Sequence, residues 1–404
     1  MNGSKSFSIA GLWGKLIRLP EVGAGPFASL AVDPRELKRL KGEWERLGPP
    51  GPPGQYNAPE TGIIEDIKTR TRLSNRNNVT RTAAYFSIFH KHPELHWALL
   101  AHMVSRNGGW SMTDLKGELL PRILPEPMRE RLFDMLETAN AFIFGDAYPQ
   151  LLLYQESVGR GRPLFHLLPA FGVSSFMKPV WRLFWETRSS VPLTIAMIVN
   201  EQHYIEKRVV QLPEFASGVL NTLPFQAQSA LQLNQVFFPY GGESPVAAGR
   251  QRIAGGILED FGSLKERILF GKKLYGILFG IPEARDGARR FAQTTPHTGS
   301  RADYWPELFA AVRRGAPSSA YMPKLDGTEL LPDAAPFYSP RLADAWKDKP
   351  LREPERFDWF RGNASDAAGY FTDVRPSVPY EMSAEHCYGL EKLELAALAG
   401  SLLL

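Results

Sequence analysis

Cysteine is almost absent from this chain: Cys387 stands alone among 404 residues. No intramolecular disulfide can form, and a zinc site built from several thiolates is excluded. Such sparse usage suits a reducing compartment, so the expected location is cytoplasmic. Long uncharged apolar runs are missing too. The nearest approach, Leu164–Trp185, is interrupted by Pro169, Lys178, Pro179 and Arg182, so no window of about 20 residues reads as a membrane span. The opening MNGSKSFSIAGLWGKLIRLP lacks the apolar centre and small-residue cleavage site of a secretory signal. Familiar catalytic signatures are absent as well: there is no GxSxG, no GxxxxGK(S/T) and no HExxH. No cofactor is indicated.

What is present is the balance of a globular protein, 44% hydrophobic and 22% charged. The length allows two or three domains, or one large domain with arms. The net charge of +4 is spread through mixed signs, which describes a solvated surface with a slight lean towards anionic partners.

Apolar residues at three- and four-residue spacing predict helices over 61–73, 81–91, 93–107, 114–121, 127–142, 147–158, 174–187, 192–210, 213–220, 224–236, 245–258, 262–279, 282–293 and 303–314. Pro93, Pro127, Pro213, Pro224, Pro245 and Pro282 fall where helices start. The expected class is all-α. Ile9, Leu12, Trp13, Leu16 and Ile17 share one face of an amphipathic, basic segment. It either docks on its own domain or rests weakly on an anionic membrane surface through residues 5–19. GPPGPPGQ (48–55) reads as a linker. Beyond 315, frequent prolines with aromatic anchors predict an irregular arm ending in a helix over Ala384–Ala399. The expected division is 1–58, 59–314 and 315–404.

The stretch LLAHMVSRNGGWSMTDLKG (99–117) places polar groups in an apolar run. On one helix Leu95, Leu99, His102 and Arg106 form a stripe opposite Trp97, Leu100 and Val104. Arg106 is therefore expected inside, where an unpaired charge costs several kcal/mol. A carboxylate should meet it. Glu201, which follows the apolar run Leu193–Val199, is the first candidate partner for Arg106 or His102, and Asp146 the second. The cluster reads either as a structural salt bridge or as a pocket, with Asn107 in support. Gly108 and Gly109 are expected to close the helix, and Ser111-Met-Thr-Asp114 to cap the next one.

Two further patches suit an anion. Residues 67–82 carry Lys68, Arg70, Arg72, Arg76 and Arg81 among Asn and Thr. A solvated helix end and an anion pocket using Arg81 are both open readings. Few aromatics interleave, so nucleic acid is not the expected partner. In TTPHTGSRADYWPELF (294–309), His297 and Arg301 precede Asp303, read as an N-cap. His90, His92, His96 and His102 lie close in sequence, but Pro93 separates the rings and no metal site is expected.

Three blocks carry a resemblance: NNVTRTAAYFSIFHKHPELHWALLAHMVSRNGGWSMTDLKG, FGVSSFMKPVWRLFW with IVNEQHYIEKRV, and HTGSRADYWPELF. Together they resemble a family of uncharacterised cytosolic proteins of spore-forming Gram-positive bacteria that share a domain of unknown function. The likeness spans roughly residues 60–350. It implies a shared fold and carries no reaction, cofactor or ligand. The leading functional expectation is a soluble helical binding or scaffolding module. The alternatives are an enzyme on a small anionic substrate, with His102 and Glu201 in acid–base roles and Arg106 or Arg301 holding the anion, and a peripheral membrane protein.

Overall fold

The computed structural model describes residues 27–47, 55–217, 234–241, 252–314, 321–355, 357–376 and 378–402. The amphipathic segment Ile9–Leu19 lies outside the described residues. So do the linker over 48–54, residues 218–220 and 224–233 of two expected helices, and residues 245–251 of a third.

Local capping sets the first helices. Helix α1 (Pro34–Glu45), which the hydrophobic pattern did not flag, starts on Asp33, whose carboxylate accepts from Arg35 N. Helices α2 (Ala58–Ser74) and α3 (Asn78–Lys91) open with capping boxes, Asn57 with Glu60 and Asn77 with Thr80. Helix α4 (His96–Asp114) runs 19 residues, about 28 Å at 1.5 Å per residue. It passes straight through Gly108 and Gly109, so the expected helix end there is wrong. Only one turn, α5 (Leu120–Ile123), remains of the helix expected over 114–121.

Two expected helices, 127–142 and 147–158, are one: α6 (Glu126–Arg160), 35 residues with Pro149 inside it. Burial of Leu151, Leu152, Leu153 and Tyr154 immediately after the proline holds the helix across a local breaker. Helix α7 (Met177–Thr187) leads to α8 (Ser190–Ile205), whose Pro192–Asn200 face is buried throughout, and the last five residues expected of this helix, Glu206–Val210, wind as a π-helix.

Strands replace helix at two sites. Gln235–Pro239 (β1) pairs antiparallel with Ile253–Ile257 (β2). The aromatic and β-branched residues of β1 favour extension, and Gly255 lies so close to the Val236 carbonyl that a Cβ there would collide. Helices α9 (Leu264–Gly280) and α10 (Pro282–Thr294) follow. The helix expected over 303–314 is a 3-10 turn, Arg301–Asp303, and a short strand β3 (Phe309–Ala310). Strands β4 (Leu325–Asp326) and β5 (Glu329–Leu330) form a hairpin, while β6 (Phe337–Tyr338) pairs parallel to β3. Helices α11 (Ala364–Gly369) and α12 (Ser383–Leu402) complete the chain. The described residues are predominantly helical, an all-α framework with small strand pairs.

Two hydrophobic cores form. The first gathers Trp97, Leu99, Met103, Phe144, Trp181 and Ile198. The second gathers Trp110, Leu115, Phe133, Phe237, Trp305 and Phe337. Helix α4 contributes its first half to one and its last turn to the other, which puts residues 102–109 at the junction.

Candidate functional site

Arg106 is buried, 1% exposed, as the stripe predicts. The expected acid does not reach it. Nε donates to His102 Nε2 at 3.0 Å, Nη2 donates to the Thr295 carbonyl, and the guanidinium lies 4.7 Å over the Phe291 ring. Nη1 finds no hydrogen-bond partner among the described residues. Burial pushes the Arg106 pKa down to about 10, against a weaker attraction to Asp303. The positive charge is thus held by a ring nitrogen, a carbonyl and an aromatic face.

These partners dictate the His102 tautomer. Nδ1 lies 2.8 Å from the Thr82 carbonyl and donates to it, leaving Nε2 to accept from Arg106. Burial, then Arg106, hold its pKa well below the usual histidine range. Both nitrogens of the candidate acid–base residue are therefore committed, and Glu201 is elsewhere.

The double glycine has a packing purpose. A Cβ on Gly109 would overlap Asn78 Oδ1 and stand 2.6 Å from His297 Nε2. Asn78 donates to the Ser105 carbonyl at 2.8 Å and its Oδ1 accepts from His297 Nε2 at 2.9 Å. Asn107 serves the other side of the helix: its amide accepts from Phe237 N at 3.1 Å and donates back to the Phe237 carbonyl at 2.5 Å, anchoring β1.

Asp114 is not a cap. It accepts from Arg301 Nε at 2.8 and 2.9 Å and from Nη2 at 2.6 Å. Arg301 Nη1 donates to Tyr304 Oη at 2.7 Å, and Tyr304 Oη lies 3.1 Å from His386 Nε2. Burial works against the Arg301 charge, yet Asp114 and Tyr304 raise its proton affinity overall. Burial raises the Asp114 carboxyl, with Arg301 pulling the other way. Asp303 is not an N-cap either. Its carboxylate accepts from Thr298 N at 2.7 Å and Thr298 Oγ1 at 2.6 Å, closing the 297–303 turn, while Ser300 caps the 3-10 turn. His297 Nδ1 stands 3.6 Å from Asp303 Oδ2.

A cleft of about 30 Å³ opens beside the Asp114–Arg301 pair, with Glu118, Leu120, Phe309, Phe337 and Leu393 among its walls. Glu118, one position past Gly117, escaped the sequence reading. Its i+4 spacing from Asp114 was a usable signal, whereas nothing local marked Lys324, whose Nζ comes within 3.5 Å of it.

Glu201 and Asp146 form a separate cluster. Glu201 accepts from Trp97 Nε1 and from Gln202 Nε2, each at 3.2 Å. Asp146 Oδ2 accepts from Asn200 at 2.5 Å and Gln150 at 3.0 Å. Burial pushes the Glu201 carboxyl up to about 8 and that of Asp146 up to about 7. The enzyme alternative needs His102, Glu201 and Arg106 or Arg301 in one pocket; Asp114 of α4 meets Arg301, while Glu201 bonds to neither His102 nor either arginine among the described residues. Arg81 is likewise committed: buried at 1% exposure, it pairs with Glu137 at 2.5 Å and Asn75 Oδ1 at 3.1 Å. Lys68, Arg70 and Arg76 form surface pairs with Glu65, Asp66 and Asp348. Among the described residues no group of three His, Cys, Asp or Glu side chains could hold a metal.

Residues 74–382, which include Arg81, His102, Arg106, Asp114, Glu201 and Arg301, match the family model described as "Protein of unknown function (DUF2515)". The chain belongs to the DUF2515 family. It is also similar to the uncharacterized protein YppC of Bacillus subtilis (strain 168), 41% identical over 255 residues, 63% of this chain and 77% of YppC. No solved structure matches this DUF2515 chain. No helix among its described residues is long and apolar enough to cross a membrane.

Proposed function

We propose that this DUF2515 chain is a binding protein whose ligand site is the cleft beside Asp114, with the polar network along α4 fixing the walls. The observation that carries this reading is the placement of an apolar-walled cleft against the hydrogen-bonded Asp114–Arg301 ion pair. A few fixed polar groups in an apolar concavity are the usual make-up of a ligand site. His102, Arg106 and Arg81 support the architectural half, because each is bonded to another segment of the chain, and Asp303 does so by closing the 297–303 turn.

A cytoplasmic location belongs to the same proposal and rests on the lone Cys387. An arm over 315–404 belongs to it too, since Phe337, Leu390 and Leu393 bring that part of the chain into the second core. A second reading, an enzyme for a small anionic substrate, draws on Glu201 alone. A carboxyl titrating close to neutrality suits a general acid.

The test is a thermal-shift screen of metals, nucleotides, phosphosugars and small amines. It is run on the wild type and on Leu393→Phe, which fills the cleft, with circular dichroism confirming the variant's fold. Ligands that raise the wild-type melting temperature and lose the effect in Leu393→Phe are the expected result. Equal shifts in both proteins would overturn it.

A further inference from the structure

We infer that the Asp114–Glu118 cleft receives a primary ammonium on an apolar stem, from a free alkylamine or from a lysine side chain of a partner peptide. This deepens the binding reading above and rests on it.

Arg301 is buried, and each of its three nitrogens already donates to Asp114 or Tyr304, which leaves only the second N–H of each Nη. What the cleft has most to spare is acceptor capacity. The Asp114 side chain is 22% exposed and, among the described residues, receives hydrogen bonds from Arg301 alone. Glu118 Oε2 accepts from Tyr338 N at 3.2 Å, while among the described residues Oε1 pairs with the Lys324 ammonium alone, at 3.5 Å. A carboxylate offers about four lone-pair sites, so both acids can accept more. A ligand that brings donors uses this larger reserve.

Size and walls narrow the choice further. About 30 Å³ admits one or two water-sized groups, and an ammonium is that size. Leu120, Phe309, Phe337 and Leu393 then surround methylenes rather than a second polar group.

Lys324 already displays the recognition chemistry. Its ammonium lies 5.3 Å over the Phe337 ring, opposite Glu118, with the Pro336 carbonyl at 3.5 Å. Each of these contacts is long, so the side chain is a loosely held internal stand-in. Arg301 pairs with Asp114, while Lys324 and Arg313 both face Glu118, so an ammonium takes the place of a resident cation rather than adding to them. Arg313 stands 3.9 Å from Glu118 and stacks over Tyr338. An incoming ammonium that releases Lys324 to water leaves the balance unchanged.

The experiment measures affinity for n-butylammonium and for Nα-acetyl-lysine methylamide, with n-butanol and butyrate as controls. Wild type, Lys324→Met and Glu118→Gln are compared by calorimetry and thermal shift, with circular dichroism verifying each fold. Both variants keep the Asp114–Arg301 pair, so either can be read alone if the other fails to fold. Loss of a charge-assisted hydrogen bond predicts roughly tenfold weaker amine binding in Glu118→Gln. Removal of the internal competitor predicts tighter binding in Lys324→Met. Binding of the lysine amide without butylammonium assigns a peptide source, and the converse assigns a free amine. Failure of both amines to bind Lys324→Met, or butanol binding as well as the amines, would overturn the proposal. If ligands of other chemistry are lost on filling the cleft, the binding reading stands and only the ammonium assignment falls.

Discussion

Gly109 and Gly108 are adjacent in the same helix, yet they are crowded to different degrees. A methyl on Gly109 overlaps Asn78 and His297, both fixed by hydrogen bonds, whereas on Gly108 it meets the Asn140 amide at 3.3 Å and Asn78 Nδ2 only at an ordinary 3.6 Å. Gly109→Ala is therefore expected to cost about 1–3 kcal/mol through overpacking. Gly108→Ala should be nearly neutral, since its crowding is offset by the better helix propensity of alanine. Urea unfolding of the two variants checks this, and equal losses would contradict it. The buried acids make a pH prediction. Asp146 and Glu201 carry folded-state values of about 7 and 8 against ordinary values of 3.8 and 4.5. Between those limits the folded chain keeps protons that the unfolded chain releases, so stability falls as pH rises from about 4 to 8. Glu201→Gln should flatten that slope and raise the urea midpoint at pH 8 relative to wild type. Parallel midpoint–pH curves for the two proteins would count against a buried neutral acid. The burial of Arg106 was legible from its stripe. His102, one turn earlier on the same stripe, was placed within reach, but the Thr295 carbonyl and the Phe291 ring were not, because contacts from a distant segment leave no local signature.

At the scale of elements, the sequence pattern located α2, α3, α7 and α9 well, since one apolar face per helix suffices to mark them. It failed where tertiary contacts overrode local signals. Pro149 and the Gly108–Gly109 pair read as breaks but lie inside α6 and α4. Residues 235–239 and 253–257 carry apolar runs too short to distinguish strand from buried helix. The site suffered in the same way: apolar runs ending in polar residues marked both Arg106 and Glu201, but periodicity gave no distance between α4 and α8. Trp97, nine positions before Arg106, takes the Glu201 carboxylate. Hence Arg106→Met and Glu201→Gln should be additive within about 0.5 kcal/mol in a double-mutant cycle, the behaviour of separate sites. The α3–α6 joint should behave otherwise. Arg81→Met or Glu137→Leu alone leaves a buried charge unpaired and should cost about 3–5 kcal/mol, with much of that recovered in the double variant. A cycle without coupling at Arg81–Glu137 would contradict the buried pair.

On the scale of the whole molecule, α4 is the member common to both cores. Its first half is packed among α3, α6, α8 and α9, and its last turn is tied to the 297–303 turn through Thr113–Gly299 and Asp114–Arg301. Chain segments far apart in sequence reach the same place: Trp346 donates to the Met112 carbonyl at 2.8 Å, and His386 meets Tyr304. The central claim is that Asp114–Arg301 clamps the second core, and with it the cleft, onto the helical body. Native-state hydrogen exchange of Arg301→Leu tests this most directly. The account predicts lost protection together in residues 297–310, 337–346 and 383–398, while α7 and α8 keep wild-type protection. Unchanged protection in those three segments, or an even loss across α7 and α8 as well, would contradict it.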